Sequence, residues 1–241
     1  MGDFNQNGVI TTLHTLATRP IEEIEAELVE FSRVRPMSLV LPSLYSELPG
    51  KALPHIVDEL TKVPYLDEIV IGLDRANAAE FKHAKAYFGR LPQHHRILWH
   101  DGPRLTALDK KLQARGLAPS EPGKGRNVWY CYGYLLASGR AEAIALHDCD
   151  ILTYQRDLVA RLFYPIANPK FNFEFCKGYY YRVANGSING RVSRLLVTPL
   201  LRTLQTVLGP SDYLAFLDSF RYPLAGEFAM RSEVISDIRI P

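Results

Sequence analysis

The sequence has few cysteines, no excess of charge of either sign and no long hydrophobic run. The three cysteines in 241 residues, Cys131, Cys149 and Cys176, fit neither a disulfide framework nor a zinc site, so we expect reduced thiols and a cytoplasmic protein. A net charge of +2 predicts no general binding of nucleic acid, because such binding needs clustered lysine and arginine. Since no signal-peptide pattern or bilayer-length apolar run occurs, no membrane span is predicted.

Apolar residues are plentiful, at 47% of the chain, and they are arranged in strand-then-helix units. Short apolar runs predict strands at 37–42, 68–74, 95–99 and 141–146. Helical periodicity predicts helices at 20–31, 52–60, 78–88, 105–115, 128–138, 157–163 and 192–208. The alternation of the two predicts an α/β fold with a doubly wound, mostly parallel sheet.

The part of the chain after residue 150 is richer in aromatic residues. Phe171, Phe173 and Phe175 alternate, which predicts a strand at 171–181 with these three rings on its core face. The apolar side of the helix predicted at 192–208 is formed by Leu195, Leu196, Leu200, Leu204 and Val207. Because no linker separates this part from the rest, we predict one continuous domain over 1–241.

Two aspartates, Asp148 and Asp150, follow the strand predicted at 141–146. In α/β sheets, ligands bind at the carboxyl ends of the parallel strands. Carboxylate oxygens suit a divalent cation, which can hold the diphosphate of a nucleotide, and Lys124 between two glycines can reach the same phosphates. The pattern predicts a phosphate-and-metal site, but a role of both aspartates in capping the next helix also fits.

His147 and Cys149 flank Asp148 in the sequence, but neither is assigned a catalytic role. Strand alternation places His147 on the opposite side from Asp148. Carboxylates on both sides of Cys149 disfavour its thiolate, which is the form that acts as a nucleophile.

Five motifs follow one another along the chain. They are Pro-Ser-Leu-Tyr-Ser-Glu at 42–47, Gly-Lys-Gly at 123–125, Asp-Cys-Asp at 148–150, Asn-Gly-Arg-Val-Ser at 189–193 and Pro-Leu-Ala-Gly-Glu-Phe at 223–228. Together they resemble the motifs of the glucosyl-3-phosphoglycerate synthases, which are retaining glycosyltransferases of the GT-A fold. The resemblance covers 37–231 and implies a GT-A type, Rossmann-like fold, with a nucleotide-sugar part at 35–150 and an acceptor part at 151–241.

The resemblance implies a role for each matched residue. The nucleotide sugar would contact Pro42, Ser43, Leu44, Glu47, Asp74, Lys124 and Asp148. Mg2+ or Mn2+ would be held by Asp148 and Asp150, the acceptor by Gly190, Arg191, Val192 and Ser193, and catalysis would depend on Glu227, Lys124 and Asp150. Two alternatives stay open: Glu47 as a solvated loop charge, and Arg191 as a helix-start charge paired with an acid.

The implied function is transfer of a hexose, with glucose from UDP-glucose as the first candidate, to a small phosphorylated or carboxylated acceptor such as 3-phosphoglycerate. Gly72-Leu73-Asp74-Arg75 stands where relatives carry Asp-Ser-Gly-Ser, so a GDP sugar or mannose stays open, as does a homodimer. Two other classes remain as alternatives. One is a non-catalytic nucleotide-sugar-binding protein, and the other is a nucleotidyltransferase of similar fold.

The C-terminal end of the sequence departs from the family pattern. In the family, a histidine downstream of the Pro-Leu-x-Gly-Glu motif completes the metal shell, but no histidine follows Phe228 here. Either the natural chain continues beyond Pro241, which is our expectation, or the metal is held by Asp150, diphosphate oxygens and water.

Overall fold

The structure is a computed structural model that describes residues 10, 12, 19–180, 183–184, 187–188 and 192–238. The chain divides into two compact units. The larger unit comprises Pro20–Cys176 and Gly226–Pro241, and the smaller unit comprises Met1–Arg19 and Lys177–Ala225. The organisation of the chain as one continuous domain stays a prediction.

In the described part of the chain, the strands form one large sheet and one small two-stranded sheet. They are Met37–Leu44 (β1), Glu68–Asp74 (β2), His94–Trp99 (β3), Ala143–Leu146 (β4), Phe175–Lys177 (β5), Val183–Ala184 (β6), Ser187–Ile188 (β7) and Phe228–Arg231 (β8). Within the described residues, the large sheet has six strands in the order β3-β2-β1-β4-β8-β5, and β6 pairs with β7. β1 to β4 are parallel, and β8 is antiparallel to β4. The predicted α/β fold with a mostly parallel sheet is confirmed.

Along the chain, helices follow most of the strands. They are Ile21–Ser32 (α1), Ala52–Leu60 (α2), Ala78–Phe88 (α3), Pro103–Gln113 (α4), Lys124–Ser138 (α5), Arg156–Ala167 (α6), Thr198–Leu208 (α7), Asp212–Asp218 (α8) and Ser232–Asp237 (α9). α3 begins where predicted because the Asn77 side chain accepts hydrogen bonds from the N–H groups of Ala79 and Glu80. Among the described residues, no helix is both long and apolar enough to cross a bilayer.

The middle strands of the sheet are buried on both faces and separate two hydrophobic clusters. Leu39 and Ile69 belong to the cluster that includes α1, α2 and α6. Val40 and Val70, the next residues along β1 and β2, belong to the cluster that includes α5. Burial of each aliphatic side chain of this size contributes about 1.5–3 kcal/mol. These two packed layers therefore hold the middle strands of the sheet in place.

The strand predicted at 171–181 is mostly irregular, and its proposed core face is wrong. Only β5 is extended in its described part, and Phe175 within β5 is 41% exposed. Phe171 lies before the strand, where its ring contacts that of Phe173, and Phe173 packs against the core. Alternation of side chains needs extended backbone, so without it the rings follow local packing. Residue 181 lies outside the described residues.

The helix predicted at 192–208 is present, but its first part, Ser193–Val197, is π-helical. Pro199 provides a physical reason, because proline has no N–H and its ring crowds the carbonyl four residues earlier. The N–H of Thr198 accordingly donates to the carbonyl of Ser193, which widens the turn. The predicted apolar side is exposed at Leu195, Leu196, Leu200 and Val207.

Candidate active site

Three of the predicted segments meet at the carboxyl edge of the parallel strands. Leu44 at the end of β1 is in register with Asp74 at the end of β2, and Val40 of β1 is in register with Leu146 at the end of β4. The turn Tyr45–Glu47 follows β1, and the two aspartates follow β4. This is the edge at which α/β proteins bind ligands.

Glu47 is held in one orientation by its own turn. Its Oε2 accepts a hydrogen bond from the Leu44 N–H at 2.9 Å and another from the Ser43 hydroxyl at 3.0 Å. Burial raises the pKa of the Glu47 carboxyl against the lowering effect of these two hydrogen bonds, and the charges of Asp150 and Asp148 raise it further. Glu47 is therefore an oriented, partly buried carboxyl group and not a solvated loop charge.

Ser43 faces inward at the end of β1. Its residue surface is 2% exposed, and its hydroxyl donates to Glu47. Pro42 and Leu44 on either side are half-buried. A direct contact between the Ser43 side chain and a nucleotide stays a prediction, while its contact with Glu47 gives it a second role, the orientation of that carboxyl group.

The residues after β4 alternate between core and surface. His147 and Cys149 are 0% and 3% exposed, whereas Asp150 is exposed and Asp148 is half-buried. His147 Nδ1 and the Tyr154 hydroxyl share a hydrogen bond of 2.9 Å, and burial lowers the pKa of His147 to about 3. Burial raises the pKa of the Cys149 thiol well above its usual value. His147 and Cys149 are therefore neutral and buried, and both aspartates lie on the outer side.

Asp148 pairs with a lysine and does not cap the next helix. α6 begins at Arg156 with Gln155 as its N-cap residue, so the alternative of helix capping by the two aspartates is not supported. Lys124 Nζ instead forms an ion pair with Asp148 Oδ1. The Gly-Lys-Gly and Asp-Cys-Asp motifs are thus in direct contact.

The start of α5 is strongly positive. Its first turn carries Lys124 and Arg126 and, as far as the described residues show, no acidic side chain. Its N-cap residue is Gly123, with a φ of 155°, which has no side chain to accept from the first N–H groups. The helix dipole and these N–H groups favour an anion here. Arg126 is 3.7 Å from Asp109, so Lys124 is the cation of this turn that faces Asp148.

The segment before β8 passes directly against Asp148. A Cβ atom at Gly226 would lie 2.5 Å from Asp148 Oδ2, which is too close for a non-bonded contact, so any larger residue here would have to displace the Asp148 carboxylate. Glu227, the next residue, is 3% exposed. Because Phe228 of β8 pairs with Leu146 of β4, the antiparallel strand brings this motif to the aspartates.

Asp74 ends β2 in a constrained turn. The next residue, Arg75, has a φ of 56°, and its N–H donates to Asp74 Oδ1 at 2.9 Å. The Ala76 N–H donates to Asp101 Oδ2 at 2.9 Å, and Trp99 Nε1 donates to the Ala76 carbonyl at 2.7 Å. A non-glycine residue with positive φ persists only where surrounding contacts enforce it. These contacts hold Asp74 beside the end of β1.

Asn127 is a residue of this edge that the sequence reasoning missed. It lies in the first turn of α5, is 4% exposed, and donates through Nδ2 to the Gly72 carbonyl at 2.8 Å. A Cβ atom at Gly72 would be 1.8 Å from Asn127 Oδ1, so the helix approaches β2 only because residue 72 is glycine. The contact fixes the start of α5, and therefore Lys124, relative to the sheet. Its only sequence signal was its place directly after the Gly-Lys-Gly-Arg run.

The carboxylates at this edge suit a divalent cation whose coordination shell is completed by a bound ligand. Asp148 and Asp150 are close enough to Glu47 to raise its pKa, so negative charge is concentrated here. Within the part of the chain that the structure describes, no three His, Cys, Asp or Glu side chains form a ready-made metal site. Mg2+ and Mn2+ commonly use one or two carboxylates together with substrate phosphates and water. The donor set therefore fits a metal that binds together with a diphosphate.

The predicted acceptor residues belong to the smaller unit. Val192 is 56% exposed. The Ser193 hydroxyl is buried and has no hydrogen-bond partner among the described residues. Gly190 and Arg191 lie outside the described residues, so the two open interpretations of Arg191 both stay open.

Comparison with known sequences gives two matches along the whole chain. The chain is 50% identical over 240 residues to the glucosyl-3-phosphoglycerate synthase of Persephonella marina, covering 100% of this chain and 59% of that protein. It is 40% identical over 242 residues to the glucosyl-3-phosphoglycerate synthase of Methanococcoides burtonii, covering 99% of this chain and 59% of that protein. The chain thus spans less than two thirds of the length of these curated relatives. No protein-family model matches it.

A solved structure agrees in fold. The glucosyl-3-phosphoglycerate synthase of Mycobacterium tuberculosis, in complex with Mn2+, UDP and glucosyl-3-phosphoglycerate, superposes with a TM-score of 0.59 at 22% identity. The match covers 92% of this chain and 64% of that one. It confirms the GT-A type fold, and the two sequence matches confirm the resemblance that the five motifs indicated.

Proposed function

We propose, from the premise that this chain is a homologue of the glucosyl-3-phosphoglycerate synthases, that it is a metal-dependent retaining glycosyltransferase. It transfers a hexose from a nucleotide sugar to a small anionic acceptor. The observation that carries the proposal is the contact of Lys124 with Asp148 at the start of α5, beside Gly226. This arrangement brings three of the five family motifs together around one carboxylate.

The nucleotide lies along the carboxyl edge of β1, β2 and β4. The Glu47 oxygen that Ser43 and Leu44 do not hold accepts a hydrogen bond from the base or the ribose, and Asp74 faces the same part of the ligand. The diphosphate lies at the start of α5, where the N–H groups and Lys124 neutralise its charge. We expect UDP, as in the Mycobacterium tuberculosis complex, with GDP as the competing nucleotide.

The metal is held by Asp148 and Asp150. The bound ion supplies positive charge to the diphosphate as it leaves. Mn2+ accompanies UDP in the Mycobacterium tuberculosis complex, and Mg2+ suits the same hard oxygen donors. Lys124 is the protein's own contribution to the same charge, because an oriented cation stabilises the transition state more than the ground state.

The hexose is the group that passes from the nucleotide to the acceptor. Glu227, in the segment that passes Asp148, accepts hydrogen bonds from hydroxyl groups of the hexose. The bond from the anomeric carbon to the diphosphate breaks, a bond to the acceptor hydroxyl oxygen forms on the same face, and the hydroxyl proton passes to the leaving phosphate oxygen. The acceptor, with 3-phosphoglycerate as first candidate, is held by Gly190, Arg191, Val192 and Ser193. A homodimer and a cytoplasmic location stay predictions.

The test is nucleotide release by the purified protein with Mn2+. UDP-glucose, GDP-glucose and GDP-mannose are each supplied with 3-phosphoglycerate, with glycerate and without acceptor. We expect acceptor-dependent release from one of the three, and a product with retained anomeric configuration. Tight nucleotide-sugar binding without release would indicate a non-catalytic binding protein, and pyrophosphate formation from a nucleoside triphosphate and a sugar phosphate would indicate a nucleotidyltransferase.

A further inference from the structure

Lys124 and Asp148 are paired in the structure although the proposed function requires each of them elsewhere. The ammonium of Lys124 contacts Asp148 Oδ1, while Gly226 packs against Asp148 Oδ2. In the proposed function, Asp148 contacts the divalent metal ion and Lys124 contacts the diphosphate. The observed pair and the working site are therefore two different pairings of the same two side chains.

The pair can exchange partners because it is accessible. The side chain of Lys124 is 52% exposed and that of Asp148 is 29% exposed, and ion pairs with this exposure are weak. The flexible stem of lysine lets the ammonium move without a change in α5, whose position is fixed by Asn127 on Gly72. Arg126 does not compete for this role because its guanidinium pairs with Asp109.

We propose that Lys124 is a tethered counter-ion that couples metal binding to nucleotide binding. Without nucleotide, its ammonium neutralises Asp148 and opposes binding of the divalent cation. When a diphosphate reaches the start of α5, Lys124 turns to the phosphate oxygens and releases Asp148 to the cation. This role rests on the proposed function, because it concerns the diphosphate and the metal of that site.

The charges around the pair favour this exchange. The charges of Asp148 and Asp150 both raise the pKa of Glu47, so the three carboxyl groups act on one another at this edge. Removal of the Lys124 charge leaves the carboxyl groups of Glu47, Asp148 and Asp150 less neutralised. Without nucleotide, the protein then binds the divalent cation more tightly. Removal of the same charge in the presence of a diphosphate takes away a phosphate contact, so the cation and nucleotide together lose affinity.

The experiment compares Mn2+ affinity with and without UDP. Free Mn2+ is measured by electron paramagnetic resonance for the wild type, Lys124→Gln, Lys124→Arg and Lys82→Gln, an exposed lysine of α3 that serves as the control for a lost charge. A UDP series without protein corrects for Mn2+ bound by UDP alone. UDP is added to saturation for each protein, and circular dichroism verifies that each variant is folded.

Without UDP, we expect Lys124→Gln to bind Mn2+ about twofold to fivefold more tightly than the wild type, which is the strength of an exposed ion pair. With UDP, we expect the order to reverse, so that the gain in Mn2+ affinity caused by UDP falls about tenfold or more. Lys124→Arg should resemble the wild type without UDP, and Lys82→Gln should resemble it throughout.

Equal Mn2+ affinity of the wild type and Lys124→Gln without UDP would overturn the role of Lys124 as a tethered counter-ion. An equal rise in Mn2+ affinity in Lys82→Gln would overturn it as well. In that case, strong binding of Mn2+ by the wild type with UDP would leave the proposed function standing. If UDP did not raise the Mn2+ affinity of the wild type at all, both proposals would fail together.

Discussion

Two helices with apolar sides, α5 and α7, differ in what covers those sides. On α5, Val128 and Leu135 are 5% and 1% exposed and pack under the sheet. On α7, Leu200 and Val207 are 50% and 73% exposed. Both patterns are amphipathic in the sequence, so amphipathicity predicts that a helix forms but not that its apolar side is buried.

The same contrast applies to the two parts of the proposed site. The proposed nucleotide edge belongs to strands buried on both faces. Its side chains are held by local hydrogen bonds, such as those of Glu47 with Ser43 and Leu44, and by a long-range one, that of Asn127 with Gly72. The proposed acceptor part is described only at Val192 and Ser193, which stand at the start of a helix whose apolar side is exposed. We infer that the nucleotide edge is the more preorganised of the two.

The largest expected effect contrasts the two apolar environments. Ile71 in β2 is 0% exposed, so Ile71→Ala should lower the free energy of unfolding by about 2–5 kcal/mol. Leu200→Ala should change it by no more than about 0.5 kcal/mol, since half of Leu200 is already exposed. Urea unfolding followed by circular dichroism measures both. Similar losses in the two variants would mean that the α7 side is covered in solution.

The next effect concerns chemistry at the nucleotide edge. Asp150→Ala should lower the rate of nucleotide release by about 100-fold to 1000-fold, because the charge at the leaving diphosphate is lost. Its free energy of unfolding should change little, since Asp150 is exposed. Glu121→Ala, which removes another exposed carboxylate, is the matched control. Equal rates in Asp150→Ala and the wild type would remove Asp150 from the site.

Gly72 and Gly133 test how tightly α5 is placed against the sheet. Gly72→Ala puts a methyl group onto the Asn127 side chain and should destabilise the fold by about 1–3 kcal/mol. Gly133→Ala, also involving α5, meets no atom within 4 Å and should stabilise the fold by about 0.5–1 kcal/mol. Thermal unfolding gives both signs. A neutral Gly72→Ala would show that the start of α5 is not fixed as described.

The smallest effect separates nucleotide from acceptor. Ser43→Ala removes one hydrogen bond to Glu47 and should weaken nucleotide-sugar affinity by about 0.5–1.5 kcal/mol, with acceptor affinity unchanged. Ser43→Thr, which keeps the hydroxyl, should restore part of the loss. Ser193→Ala should show the opposite pattern. Calorimetry with UDP, beside acceptor saturation kinetics, distinguishes them, and identical profiles of the two serine variants would contradict the division of roles.

Much of the fold could be predicted because burial dictates the sequence pattern of its central layer. β2, α2 and α3 begin and end at the predicted residues, since runs of apolar residues and the cap at Asn77 are local signals. The prediction from the phenylalanines at 171–175 was wrong, because an alternating pattern does not show whether a neighbouring strand is present to hold the backbone extended. The π-helical segment Ser193–Val197 ahead of α7 could not be predicted, because it depends on how Pro199 is accommodated in the helix.

The sequence by itself determined the order of strands and helices from α1 to α6, the placement of two aspartates after a buried strand, and the five motifs that indicated the family. These depend on composition and on spacing within a few residues. Only the tertiary structure decided that Ser43 turns inward to Glu47, that Asn127 locks α5 to Gly72, and that Gly226 passes against Asp148 while Lys124 pairs with it. The contact of Ser43 with Glu47 spans four residues and depends on the geometry of the turn after β1. The physical reason for the other three contacts is that they join segments far apart in the chain, so they exist only once the sheet register and the packing of α5 have been set.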